Sequence, residues 1–235
     1  MVKYNWCIVA GNSSIKWGFF LDNVLVEVMQ FHEDPTPAQC DECRVKYPPE
    51  KIGVSSVRGP LLWLHEFEVQ WFSSQTISPF VIDYNDPLEM GADRCAAALG
   101  AYFKCPNQEA VLVVDVGTCI TYTAIKNEVI SGLAISPGLR MRWKAMHHFT
   151  AQLPLMDHGQ IISDKGTYGN LWNGGVLGWR QEIAGMIDLF CERQQVKQVV
   201  ITGSDVVHLE KHFKDRFLVI ECLNLWGLNY WLNEN

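Results

Sequence analysis

Val111-Leu-Val-Val-Asp-Val-Gly-Thr-Cys-Ile-Thr-Tyr-Thr-Ala-Ile125 reads as a buried strand, a tight turn at Gly117 and a second strand. Val111 to Val114 is apolar without a break and rich in β-branched residues, the pattern of a strand covered on both faces. It ends on a carboxylate, Asp115, followed by the glycine turn and a hydroxyl, Thr118. Backbone amides in such a turn can face an anion, and a carboxylate at the strand end suits a cation beside it. The plainer alternative is a hairpin whose aspartate closes an Asx turn on its own backbone. These residues alone leave both readings open.

The same pattern occurs earlier in the chain. Residues 7–28 set over residues 113–133 repeat strand, glycine turn, strand, polar hairpin and strand, with Gly11 and Gly117 lying 106 residues apart. Two copies imply a paired domain rather than a solenoid. Two α/β halves of this kind would face each other across a cleft, the usual place for a ligand.

The remaining sequence bounds the answer without narrowing it far. A chain of 235 residues with 48% hydrophobic and 19% charged residues describes a globular protein with a sizeable core. It contains no apolar run long enough for a membrane span, and its opening reads as a first core strand rather than a signal peptide. A formal charge of -7 argues against nucleic acid, which needs a positive face. The eight cysteines lie mostly in apolar or helical stretches and read as reduced small hydrophobes of a cytoplasmic protein. Cys40-Asp-Glu-Cys43 has metal spacing, but no second pair completes a tetrahedral zinc site.

Patterning predicts a meander over residues 5–28, a polar, proline-containing loop with room for a short helix over 32–49, and a strand over 51–57. Further on it predicts a helix over 61–67, a strand over 78–84, an alanine-rich helix over 93–104 and a strand over 128–135. Helices follow over 137–149, 164–172 and 175–194, then strands over 198–202 and 217–221 flanking a helix over 205–213. The tail, 224–232, is a Trp/Leu-rich helix suited to a core or to a subunit contact.

Six groupings stand in order along the chain. They are Val9-Ala-Gly-Asn-Ser-Ser-Ile-Lys16, Tyr84 with Gly91-Ala-Asp-Arg94, and Asp115-Val-Gly-Thr-Cys-Ile-Thr121. Then come Ile135-Ser-Pro-Gly138 with Thr150-Ala-Gln-Leu-Pro154, Thr167-Tyr-Gly-Asn-Leu-Trp-Asn-Gly174, and Val199-Val-Ile-Thr-Gly203. In this order and spacing they closely resemble the motifs of type III pantothenate kinases, within the superfamily of acetate and sugar kinases, Hsp70 and actin. The resemblance covers nearly the whole chain.

It implies an α/β fold of duplicated ribonuclease-H-like (actin-like ATPase) domains with a cleft between them, spanning residues 1–106 and 107–235. The implied reaction is ATP-dependent phosphorylation of pantothenate to 4′-phosphopantothenate, the first step toward coenzyme A, by a cytoplasmic homodimer using Mg2+ and a monovalent cation, K+ or NH4+. By the same resemblance, Asp93 is the base that accepts the pantothenate hydroxyl proton. Tyr84, Gly91, Ala92, Asp93, Arg94 and Thr167 form the substrate pocket, with Thr167 often reaching it from a partner subunit in the family. Val9, Ala10, Gly11, Asn12, Ser13, Ser14, Ile15, Lys16 and Thr118 match the ATP-holding turns, and Asp115 matches the monovalent-cation ligand.

Each role has a plainer counterpart in the residues themselves. Asp93 suits a helix N-cap beside a surface arginine, Tyr84 a strand aromatic, Thr167 a helix N-cap and Lys16 a solvated strand lysine. One position departs from the family: its first motif opens on an aspartate that organises magnesium, and here that residue is Val9. The internal repeat shows the same gap, since Val9 falls under Asp115. A valine cannot ligate a metal, so a non-catalytic or weakly active homologue with a binding role is the alternative. A superfamily kinase acting on another small hydroxylated acid is a third.

Overall fold

The computed structural model describes residues 2–156, 165–209 and 211–234. Strands β1 (Tyr4–Ala10), β2 (Ile15–Leu21) and β3 (Val24–Phe31) form the predicted meander. Helix α1 (Pro37–Lys46) is a full ten-residue helix where the polar composition suggested mostly loop. Its signal is a capping box: Thr36 Oγ1 accepts from Gln39 N, Gln39 Oε1 accepts from Thr36 N, and Pro37 opens the first turn. Cys40 and Cys43 lie on its buried face, where desolvation pushes the Cys43 thiol up to about 11, and Cys43 Sγ meets Met29 Sδ at 3.6 Å.

Strand β4 (Pro49–Ser56) follows, then two-residue strands β5 (Gln70–Trp71) and β6 (Val81–Ile82). The helix predicted over 61–67 is a single 3-10 turn, Leu62–Leu64, with Leu61 and Leu64 buried and Leu62 81% exposed. The strand predicted over 78–84 shrinks to β6, since Pro79 has no amide to donate to a ladder. Then come α2 (Ala92–Lys104), β7 (Ala110–Val116), β8 (Cys119–Lys126), β9 (Val129–Pro137), α3 (Leu139–His148) and α4 (Gly166–Trp172). A π-helical turn, Asn173–Leu177, leads into α5 (Gly178–Gln194). The chain ends with β10 (Gln198–Thr202), α6 (Lys211–Arg216), β11 (Leu218–Val219) and α7 (Leu223–Glu234). The helix predicted over 205–213 is divided into a 3-10 turn, Ser204–His208, and α6.

Two compact units result. One comprises Met1–Glu109, Ile125–Gly132 and Cys222–Asn235, the other Ala110–Ala124 and Leu133–Glu221. One sheet runs β3-β2-β1-β4-β5; the other repeats that connectivity as β9-β8-β7-β10-β11, with β6 added beside β9. Both place a parallel strand on the far side of the hairpin's first strand: β4 beside β1, β10 beside β7. The structure thus carries the internal repeat as two copies of one sheet plan.

In the first unit, alternation sends Trp6, Ile8, Ala10, Ile15, Trp17, Phe19, Ile52 and Val54 into one aromatic core. Trp6 and Trp17 meet edge to face at 4.8 Å. The opposite face of the sheet carries Gly18 and Gly53, where a Cβ would come within 2.9 Å of Leu225 and Leu232 of α7. Those missing side chains let α7 lie directly on the strands. Helices α2 and α7 then meet backbone to backbone: a Cβ on Gly227 would collide with the Ala96 carbonyl, and one on Gly100 with that of Leu223. Leu223, Leu225, Leu228 and Leu232 are fully buried, so the tail helix is core. Asn5 donates to Asn229 and Asn233, and both of these donate to Asn23, satisfying the polar groups this packing encloses. Because α7 fills this face, the chain crosses the predicted halves 1–106 and 107–235, and Cys222–Asn235 packs with the first unit.

The second unit packs Leu112, Val114, Val116, Ile120 and Tyr122 against Trp179, Ile183 and Ile187 of α5. Within it the Trp143 indole donates to the Leu171 carbonyl at 3.1 Å, just before the π turn. Gly175 has no side chain to collide with that ring. Among the described residues no helix is long and apolar enough to cross a membrane.

Candidate active site

The second unit gathers three of the sequence motifs around one turn. β7 ends at Asp115 and Val116, Gly117 N–H donates to Cys119 O at 3.0 Å, and β8 leaves from there. Gly138 N–H donates to Thr118 O at 3.1 Å, and a Cβ on Gly138 would strike the Gly117 and Thr118 carbonyls. Thr202 pairs with Asp115 in parallel register. The next residue, Gly203, has φ +110° and would place a Cβ 2.5 Å from Asp115 Oδ1. The Pro-Gly and Thr-Gly motifs therefore wrap the Asp115–Thr118 turn, and their glycines are required by close approach.

Gly117 is different. A Cβ there meets nothing nearer than Asp115 Oδ1 at 3.7 Å, an ordinary contact, and the backbone needs no positive φ. Neither packing nor a positive φ requires a glycine at this point, and its absent side chain leaves the backbone open to close approach. Gly11 gives the same result in the first unit, its nearest contact being Ser14 O at 3.5 Å. Gly11 N–H closes that turn on Ser14 O at 3.0 Å, with Asn12 and Ser13 exposed and Ser14 and Lys16 half-buried.

Register makes the departure at Val9 concrete. Val9 is 3% exposed and pairs with Lys16 on one side and Ser55 on the other, both on its own face of the sheet. Asp115 beside buried Thr202 is the corresponding pair in the second unit. The Ser55 hydroxyl is fully buried and has no hydrogen-bond partner among the described residues. A strand-end hydroxyl is thus present in both copies, and the carboxylate beside it in one. Asp115 offers a carboxylate suited to a cation, and Val9, its counterpart in the first hairpin, offers no ligand.

Tyr84, Gly91, Asp93 and Arg94, expected to line a substrate loop, also assemble, within the first unit. Asp86 caps a 3-10 turn, Pro87–Glu89, that delivers the chain to Gly91, the N-cap of α2. Asp93 is half-buried in the first helical turn, where its Oδ1 accepts from Arg94 N at 2.9 Å. Neither plainer reading holds here: Asp93 is not the cap, and Arg94 is 7% exposed rather than a surface residue. Arg94 Nη1 donates to Tyr84 Oη at 3.1 Å. Thr167 is exposed on α4 of the second unit, one residue past the first helical position, and Lys165 occupies the N-cap.

Gly132 was invisible in the sequence, because its importance depends on residues remote in the chain. Parallel pairing of Val81 with Val129 and Ile82 with Ile130 leads Tyr84 across Gly132. A Cβ there would collide with Tyr84 Oη and lie 2.8 Å from Arg94 Nη2. Gly132→Ala should therefore raise the KM for the organic substrate about tenfold or more, the scale of one lost charge-assisted hydrogen bond. The KM for the nucleotide should stay within about twofold; equal change in both would remove Gly132 from the pocket.

A family model described as type III pantothenate kinase matches residues 6–189. A type III pantothenate kinase of Cytophaga hutchinsonii is 34% identical over 98% of this chain and 99% of its own length. One from Bacteroides fragilis is 34% identical over 98% of each. Among solved structures, a Campylobacter jejuni protein described as a Baf family transcriptional activator superposes with a TM-score of 0.60 at 21% identity, covering 98% of both chains. A ROK hexokinase of Thermus thermophilus gives 0.54 at 13% identity, covering 99% of this chain and all of the other. At these identities the two structures bear on the fold alone, an actin-like duplicated α/β architecture.

Proposed function

The chain belongs to the type III pantothenate kinase family, whose members phosphorylate pantothenate with ATP, and we propose that its residues divide that work as follows. The terminal hydroxyl oxygen of pantothenate attacks the γ-phosphorus, the bond to the β–γ bridging oxygen breaks, and ADP leaves. The Asp93 carboxylate takes the hydroxyl proton. Arg94, seated by Tyr84 and Gly132, binds a polar or carboxylate end of the substrate, for which its planar fork is suited. The turn at Gly11–Lys16 in one unit and the turn at Asp115–Thr118 in the other each offer backbone amides and charge suited to phosphates. In this reaction class positioning and charge stabilisation supply most of the rate.

A monovalent cation at Asp115 and magnesium carried with ATP belong to the same reading; when bound, they neutralise phosphate charge. So do a cytoplasmic location and a homodimer, which would explain why Thr167 stands exposed on α4. The observation that carries the assignment is the Asp115–Thr118 turn, wrapped by two glycines that packing requires and centred on one, Gly117, that packing does not.

Purified protein with ATP, magnesium, potassium and pantothenate should yield 4′-phosphopantothenate. Absence of product under these conditions, or turnover of other alcohols and not of pantothenate, would overturn the substrate assignment. Cys119 offers a test independent of turnover. It is a half-buried free thiol directly after Thr118. ATP should slow its alkylation severalfold and leave the half-buried Cys191 on α5 unaffected. Equal rates with and without ATP would place the nucleotide elsewhere.

A further inference from the structure

The turn that follows β4, Ser56-Val57-Arg58-Gly59, has no part in the roles above, yet it is fastened to the first hairpin. Val57 N–H donates to the Ala10 carbonyl at 3.0 Å, and Arg58 Nε donates to the carbonyl of Gly11. Within the turn, Ser56 Oγ accepts from Arg58 N at 3.1 Å and donates to Gly59 O at 2.8 Å. Gly59 sits at φ +86°, a conformation side chains resist. The arginine is thus ordered before any ligand arrives: its backbone is pinned, its Nε is engaged and its side chain is exposed. Among the described residues it has no other hydrogen bond and no ion pair. Its two terminal amino groups remain, the pair that matches phosphate oxygens bidentately.

Charge points the same way. Residues 9–16 and 55–59 contain two cations, Lys16 and Arg58, and no aspartate or glutamate. Lys16 is the register partner of Val9, where the carboxylate is missing. We propose that Arg58 and Lys16 hold the phosphates of ATP at the first hairpin by direct charge contact, in the role a carboxylate-bound divalent cation would fill if residue 9 were an aspartate. This rests on the ATP-kinase reading above and specifies how one of its two hairpins works.

The test measures binding of a fluorescent ATP analogue, in EDTA and in excess magnesium, alongside steady-state kinetics and melting temperature. Wild type should bind nearly as well in EDTA as in magnesium, within about threefold. Arg58→Gln, which keeps a donor for the Gly11 carbonyl and drops the charge, should weaken binding about tenfold or more in both conditions. It should leave the pantothenate KM unchanged. Arg58→Lys, which keeps the charge and loses the fork, should recover much of the loss. Val9→Asp should make binding depend on magnesium. Wild-type affinity in Arg58→Gln would overturn the proposal, as would an Arg58→Lys variant no better than Arg58→Gln, since either result reduces the arginine to an anchor for the turn. A wild type that neither binds ATP nor phosphorylates pantothenate would instead sink the kinase reading itself.

Discussion

Asp93→Asn should lower kcat by about 10²–10⁴-fold, the usual contribution of a positioned general base. The substitution is nearly isosteric, and its retained side-chain oxygen still accepts from the Arg94 amide, the bond the carboxylate makes at 2.9 Å. Helix α2 is capped at Gly91, so the change removes no cap. The melting temperature and both KM values should stay close to wild type. Steady-state kinetics with a thermal melt decide the matter: a kcat within about fivefold of wild type would leave the hydroxyl proton to another acceptor.

Asp115→Asn should cost about 10²–10³-fold in kcat/KM for ATP, comparable with loss of a preorganised charge-stabilising group. It should also abolish stimulation by potassium. Asparagine fits the space against the Gly203 backbone that the aspartate now fills, so folding is spared. Where both hairpins of a chain carry a carboxylate, removing one leaves the other. Here Val9 has already removed the first, and Asp115 is the hairpin carboxylate that remains. Unchanged potassium activation in Asp115→Asn would place the cation away from this turn.

The two hairpins were legible because each compresses its logic into a few neighbouring residues: an apolar strand, a glycine, a hydroxyl. Placing one over the other also exposed Val9. Asp93 and Arg94 were legible as chemistry and as a helix start, but their burial and exact roles in the helix turn were not. Gly132 could not be read at all. Nothing in its neighbourhood announces that Tyr84 and Arg94 will pass over it, and a lone glycine in a strand has many causes. Arg58 is silent for the same reason, because its meaning lies in the Gly11 carbonyl. Helix α1 did carry a signal, Thr36-Pro-Ala-Gln39, outweighed by the polar composition around it. The helix expected over 61–67 is reduced to one turn, with Leu61 and Leu64 buried and Leu62 facing water.

Helix α7 sets the order in which this protein can be completed during synthesis. The first unit needs residues 222–235 to cover Gly18, Gly53 and α2, and those residues leave the ribosome after the whole of the second unit has been made. For most of translation, the sheet bearing Gly11 and Lys16 lacks the helix that seals one of its faces. The half that is begun first is therefore closed after the other, and the nascent chain carries an open apolar sheet until α7 emerges.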